Sequence, residues 1–292
     1  MAKCNICFRK CNIPGGKTGW CRARGNIDGK VVPLNYGVVT GLALDPIEKK
    51  PLKRFFPGSN ILSVGSFGCN LDCPFCQNFE IARGYADADE VCYKDDNGIH
   101  ILDTKNILPE EIAELAADLR DRGNIGVAFT YNEPLVSYEY VLDTAKLIRA
   151  KGMKTVLVSN GCVNEDIAQN VIPWMDAANI DLKCFSEEGC KNFLGGDLEL
   201  TKRFIEMAAG RLHLEITTLI IPGFNDSEDD MRKEAEWIAG LDSGKGRDIP
   251  LHISRFFPRH RLTDRPATES EIIYWLADVA GEYLKFVYTG NL

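Results

Sequence analysis

From residue 59 onward, short apolar runs with strand character alternate with longer stretches whose apolar positions recur at helical spacing. The runs predict strands near 61–66, 125–130, 154–159, 178–184, 212–220, 249–256 and 286–289. The longer stretches predict helices near 109–122, 136–151, 165–175, 199–209, 227–241 and 269–284. Start signals support several of these. Pro109 suits a first helical turn, and Thr268-Glu269-Ser270-Glu271 reads as a capping box ahead of Ile272. Strand and helix in strict alternation is the signature of a parallel sheet built from βα units. The expected fold class is therefore α/β, a partial (β/α) barrel over 59–292, preceded by an N-terminal extension over 1–58.

Three of the strands carry one polar and one apolar face. Asn179, Asp181 and Lys183 interleave with Ile180, Leu182 and Cys184. His213, Glu215 and Thr217 interleave with Leu212, Leu214 and Ile216, and His252 and Ser254 with Leu251 and Ile253. Side chains alternate across a strand, and the helix-covered outer face of a barrel must be apolar, so the polar sets are expected in the lumen. Buried polar groups need partners. A large polar ligand inside a partly open barrel is the expected one.

The extension begins with Cys4-x2-Cys7-x3-Cys11-x9-Cys21 in a Gly-, Pro- and Lys-rich setting. A segment this short and polar cannot build a core, so a metal staple would explain its order. Four thiolates suit structural zinc. A second iron–sulfur cluster and a set of free thiols are the alternatives. Pro14-Gly15-Gly16-Lys17-Thr18 imitates the end of a phosphate-binding loop, but the required first glycine falls at Cys11 and no buried strand precedes it. Residues 30–58 read as short strands and a turn-rich linker containing Pro46 and Pro51.

Composition narrows the function. With 292 residues, 45% hydrophobic and 26% charged, the chain is of ordinary globular type. A net charge of −8 disfavours a nucleic-acid backbone as partner. The sequence opens without a secretion-type leader and contains no membrane-length apolar run, so no membrane partner is expected. Eleven cysteines in that setting predict a reducing, cytoplasmic environment where thiols bind metal.

The richest stretch is Gly68-Cys69-Asn70-Leu71-Asp72-Cys73-Pro74-Phe75-Cys76-Gln77-Asn78, which follows the apolar run Ile61-Leu62-Ser63-Val64. A [4Fe–4S] cube normally takes four cysteines. Three thiols on one loop leave one iron open to a ligand. Zinc would want four ligands and a second pair nearby, which this loop lacks.

These residues match the radical S-adenosylmethionine (SAM) pattern, with Phe75 as its aromatic. Together with Asp45 to Leu52, Thr130-Tyr131-Asn132-Glu133-Pro134, Asn179 to Lys183 and Ile220 to Asp226, the chain resembles the AmmeMemoRadiSam radical SAM family, relatives of the pyruvate formate-lyase activating enzymes. The resemblance implies a partial, TIM-like radical SAM barrel and a [4Fe–4S] cluster on Cys69, Cys73 and Cys76. It also implies reductive cleavage of SAM to a 5′-deoxyadenosyl radical that abstracts hydrogen. Tyr131, Asn132 and Glu133 occupy the stretch that holds the SAM amino group, and Ser159 and Asn160 match positions near its ribose or carboxylate. Asp181 and Lys183 match the Asp-x-Lys pair of glycyl-radical activases, while Val158 stands where an activase cation ligand would be.

His213, Glu215, His252 and Arg255 are substrate candidates, and Arg259, His260 and Arg261 extend a basic group at the end of the same strand. Implied partners are a one-electron reductant of flavodoxin or ferredoxin type and a substrate, either a protein, as for activases, or a small molecule. A non-catalytic iron–sulfur or zinc protein acting as electron carrier or scaffold is the other class. Cys92, Cys162, Cys184 and Cys190 share no ligand spacing and are expected to pack.

Overall fold

A computed structural model describes residues 1–87 and 90–292. One sheet of eight strands organises the chain: β1 (Gly41–Pro46), β2 (Asn60–Gly65), β3 (Asn124–Phe129), β4 (Lys154–Ser159), β5 (Ala177–Asp181), β6 (His213–Ile220), β7 (Leu251–Arg255) and β8 (Val287–Gly290). Spatial order follows chain order and the two end strands do not pair with each other, so the barrel is open. β2 to β8 run parallel, and β1 pairs antiparallel with β2 from Gly41↔Gly65 to Pro46↔Asn60. The linker expected to lie outside the barrel thus contributes its edge strand.

The crossovers are α1 (Pro109–Asp118), α2 (Tyr138–Ala150), α3 (Glu165–Val171), α4 (Glu187–Phe193), α5 (Leu198–Ala208), α6 (Glu228–Gly244, its helical dihedrals broken at Leu241–Ser243) and α7 (Ser270–Gly281). Local chemistry sets several starts. Pro109 is the first residue of α1, and Ser186, Asp197 and Ser227 accept N–H bonds from Gly189, Leu200 and Asp230 at the starts of α4, α5 and α6. The capping box expected at α7 does not form. Thr268 instead donates to the Ile220 carbonyl at 2.6 Å, tying the α7 entry to the end of β6.

Apolar strand residues Leu62, Val64, Val127, Phe129, Leu157, Ala178, Ile180, Leu214, Ile216, Leu251 and Ile253 pack with the helices in the main core. The opposite faces of β2 to β5 offer Ile61, Ala128, Val156 and Ala177, which pack with Ile47, Leu52 and Phe55. Residues 47–55 therefore fill one end of the lumen as a plug. The plug answers the polar lumen residues. Asn179 donates to the Pro51 carbonyl at 2.8 Å, and Glu215 accepts the N–H groups of Lys53 at 3.0 Å and Arg54 at 2.8 Å. Part of the wetness anticipated for a ligand is thus satisfied by the chain's own backbone.

Three further points differ from expectation. Tyr85–Asp87, Glu90–Asp95 and Gly98–Ile101 form a three-stranded antiparallel sheet that the sequence pattern did not announce. Helix α4 was also unforeseen. Cys184 and Cys190 are buried but joined as a disulfide, where free packing thiols were expected. No helix among the described residues is long and apolar enough to cross a membrane.

Candidate active site

The loop 68–78 leaves β2 through Gly68, whose φ of +93° favours glycine and whose missing Cβ would meet Ala23 at 2.6 Å and the Cys21 carbonyl at 2.7 Å. Its shape is held from several sides. Arg9 donates to the Asn70 carbonyl at 2.7 Å, and Asp72 donates its N–H to Leu194 at 2.8 Å. Arg261 grips Asp72 through backbone and carboxylate, and its own N–H reaches the Pro74 carbonyl at 2.9 Å. Phe75 is buried and stacks on Phe193 of α4 with ring centroids 6.1 Å apart.

At the ends of β3 and β4 stands Glu133, 2% exposed. One oxygen accepts Ser159 Oγ at 2.7 Å and the Leu135 N–H at 3.0 Å, and the other accepts the Asn160 N–H at 2.9 Å. Asn160 in turn donates to Asn70 Oδ1 at 3.0 Å and lies 3.8 Å from Cys69 Sγ. At the end of β5, Lys183 pairs with Asp181 at 2.9 Å. The structure therefore brings Cys69, Cys73, Cys76, Phe75, Glu133, Ser159, Asn160, Asp181 and Lys183 to one end of the barrel. This is the C-terminal end of the strands, where barrel chemistry resides.

The electrostatics show what is missing. Burial pushes Cys73 up to about 12 even though Lys183 pulls it down. Burial, reinforced by the Glu133 charge and the neighbouring thiols, raises Cys69 well above an ordinary thiol, and Cys76 is raised too. Burial opposes the charge of Lys183, but Asp181, Cys73 and Cys76 outweigh it and its pKa is raised. Glu133, desolvated and short of a cation, is pushed up to about 6.

No three His, Cys, Asp or Glu side chains among the described residues stand in a ready-made metal-holding array, the loop thiols included. The donor set is nonetheless that of a cluster. Three sulfurs share one loop, and the Leu71 N–H points at Cys69 Sγ at 3.4 Å.

Other sequence candidates lie elsewhere. The Tyr131 hydroxyl donates to Asp45 Oδ2 at 2.8 Å, and its ring lies beneath the Lys50 ammonium at 4.5 Å, so the phenol faces the Asp45–Lys50 ion pair rather than the thiols. The Asn132 amide is taken up by Ser66, Phe67 and Gly68 backbone, fixing the exit of the thiol loop. His213 and His252 both bond Glu215, at 2.8 and 2.6 Å, in the part of the lumen that meets the plug. The polar atoms of these three are turned to one another and to the plug. Arg255 donates through Nε to Thr268 O at 2.6 Å. Arg261 clamps Asp72, and His260 stacks on Phe79 at 4.4 Å. Sequence reasoning missed Arg9, Asn70 and Asp72 as supports, because what identifies them is contacts more than 60 residues apart. The four N-terminal thiols line one small cavity away from this constellation.

Comparison with known proteins agrees with this picture. Residues 63–235 match the Radical SAM superfamily. The chain is 37% identical to an uncharacterised protein of Methanocaldococcus jannaschii, over 99% of this chain and 81% of that one. It is 27% identical to the 4-hydroxyphenylacetate decarboxylase activating enzyme of Clostridioides difficile, over 68% of this chain and 61% of that protein's length. A solved structure of TYW1 with a lysine–pyruvate adduct bound shares the fold, with a TM-score of 0.52, 18% identity, and coverage of 89% of this chain and 86% of that one.

Proposed function

The chain belongs to the radical SAM superfamily, and from that premise we propose that it cleaves S-adenosylmethionine reductively and uses the product radical to take a hydrogen atom from a protein substrate. Cys69, Cys73 and Cys76 hold the cluster in this reading. When bound, the cluster passes one electron, delivered by a reductant of flavodoxin or ferredoxin type, to SAM, and the 5′-deoxyadenosyl radical so released abstracts hydrogen. One observation carries the proposal: a buried carboxylate, Glu133, accepts from three N–H and O–H donors and pairs with no cationic side chain among the described residues. A carboxylate accepts about four hydrogen bonds. The place left is suited to the ammonium of an amino acid, which gains from both the charge and the acceptor.

Ser159 and Asn160 align the carboxylate and carry the strand ends against which the ligand lies, and Lys183 offers a cation to its carboxylate or to the sulfurs. Asn132 acts by holding the loop exit. A protein substrate is favoured by the likeness to an activating enzyme over 68% of the chain. The AmmeMemoRadiSam assignment, by the motifs quoted above, is the finer form of the same reading. Val158 at the position of the activase cation ligand separates this site from strict activases. Nine free cysteines beside the single Cys184–Cys190 disulfide favour a reducing, cytoplasmic setting in this reading.

The test is anaerobic incubation of the cluster-loaded chain with dithionite and SAM. 5′-Deoxyadenosine and methionine are the expected products, and their absence from a fully loaded sample would remove the enzymatic reading. Deuterium transfer into 5′-deoxyadenosine from a labelled protein, rather than from small molecules, then decides the substrate class.

A further inference from the structure

We propose that Cys4, Cys7, Cys11 and Cys21 hold one divalent metal ion in a closed four-sulfur site, and that this site fixes the N-terminal segment against the loop carrying Cys69. The four thiols share the lining of a single cavity of about 10 Å³ with Arg9, Trp20 and Arg24. That is roughly the space of one water or ion. Four thiols fill the shell of a single tetrahedral ion.

The Cys4 N–H donates to the Cys11 carbonyl at 2.8 Å and the Lys10 N–H to the Cys7 carbonyl at 3.2 Å, which folds the first three thiols toward one another. Cys11 accepts the Trp20 N–H at 3.4 Å. A thiol can donate as well as accept, whereas a thiolate only accepts. The four sulfurs line one cavity without forming a ready-made metal array, so an ion would have to draw them together.

The chain turns back beyond the ligands at Lys10, with φ of 42°, and at Arg22, with φ of 64°. Such reversals aim successive N–H groups into one concavity. Four thiolates around a divalent ion leave two negative charges. Arg9 lines the cavity, and so does Arg24, the latter also paired with Glu139 at 2.8 Å.

Four ligands leave no open position, so the role is structural. Arg9 stands between Cys7 and Cys11 and donates to the carbonyls of Asn70 and Gly195, both at 2.7 Å. The Cys21 carbonyl faces Gly68, the residue before Cys69. Closing the four sulfurs on an ion would set both supports of the thiol loop at once.

Native mass spectrometry of the unaltered, cluster-loaded chain tests this directly. The expected mass is that of the chain, one [4Fe–4S] cluster and one further metal ion. One cluster alone, or two clusters, would overturn the proposal. A full-length variant with Cys69, Cys73 and Cys76 all changed to Ala should retain one zinc, or one iron in the same shell, per chain and no acid-labile sulfide. Adding Cys7→Ser and Cys21→Ser should remove that ion, and its persistence would also count against the site. In the otherwise unaltered chain, the same two changes should speed amide exchange across 68–76, and unaltered protection there would refute the supporting role.

Discussion

Two buried carboxylates face the lumen of one barrel and are treated in opposite ways. Glu215 is 0% exposed, yet it accepts two backbone N–H groups from the plug and bonds both His213 and His252. Burial alone would raise its pKa, but the bonds from His213, His252 and Arg54 overcome it and lower the pKa from an ordinary 4.5 to about 2. Glu133 is 2% exposed and has donors but no cation, so desolvation prevails and lifts it to about 6. Burial is common to both, and completeness of the partner set is what separates them. The first carboxylate is finished by the chain that folds around it. The second, in the proposed reading, is completed by the ammonium of the ligand.

The contrast is broken most severely at Glu215. Glu215→Gln leaves two histidines and two N–H groups facing a neutral amide and is expected to cost about 3 kcal/mol. Thermal denaturation reads this as a fall in melting temperature, with the mutant chain at the same cluster loading. Glu133→Gln should act the other way round. It loses a charge-assisted bond to the ligand, so affinity for SAM is expected to fall roughly 10- to 100-fold, or about 1.5–3 kcal/mol. The melting temperature without SAM should fall less than for Glu215→Gln. The amide –NH2 cannot accept the bond that one carboxylate oxygen takes, while removal of a desolvated charge offsets part of that loss. Isothermal titration of the loaded protein measures the first effect, and a melt the second.

The pH dependence of stability should carry opposite signs for the two residues. Glu215 has a depressed pKa, so its contribution is present above about 4.5 and is lost as pH falls from there toward about 2. Glu133 has a raised pKa. The folded chain holds that proton while the unfolded chain has lost it, so stability falls as pH rises from about 4.5 through about 6. Denaturant midpoints of the apo-chain, compared with each Gln variant across pH 3–7, separate the two slopes. The smallest effect is at the plug. Asn179→Ala removes a bond to Pro51 and another from Thr217 Oγ1 at 2.9 Å, and should lower stability by about 1–2 kcal/mol with SAM affinity unchanged.

Much of this was legible in the chain beforehand. Strand and helix periods located β2 to β8 because one apolar face per strand must meet helices, and Lys154–Ser159 was bounded to the residue. The thiol loop stood out by its spacing, whereas Glu133, Ser159, Asn160 and the Asp181–Lys183 pair were implied by the family resemblance. What failed was the question of partners. Alternation placed His213, Glu215 and His252 on a polar face but could not say that Lys53 and Arg54 backbone would reach them from more than 150 residues away. Tyr131 sits in the right motif, yet its hydroxyl is claimed by Asp45, 86 residues earlier. The short α4 lacks an apolar stripe long enough to register, and its signal was the Ser186 cap alone. Thr268 has the residues of a capping box and spends its hydroxyl on a strand carbonyl instead.

The central claim is that the unfinished end of the barrel is completed by SAM at an iron the three thiols leave open. Electron paramagnetic resonance of the reduced, cluster-loaded wild-type chain tests it with the fewest steps between claim and signal. Adding SAM should shift the cluster spectrum in a saturable way. A spectrum that SAM leaves unchanged, in protein carrying a full complement of four irons on Cys69, Cys73 and Cys76, would contradict it.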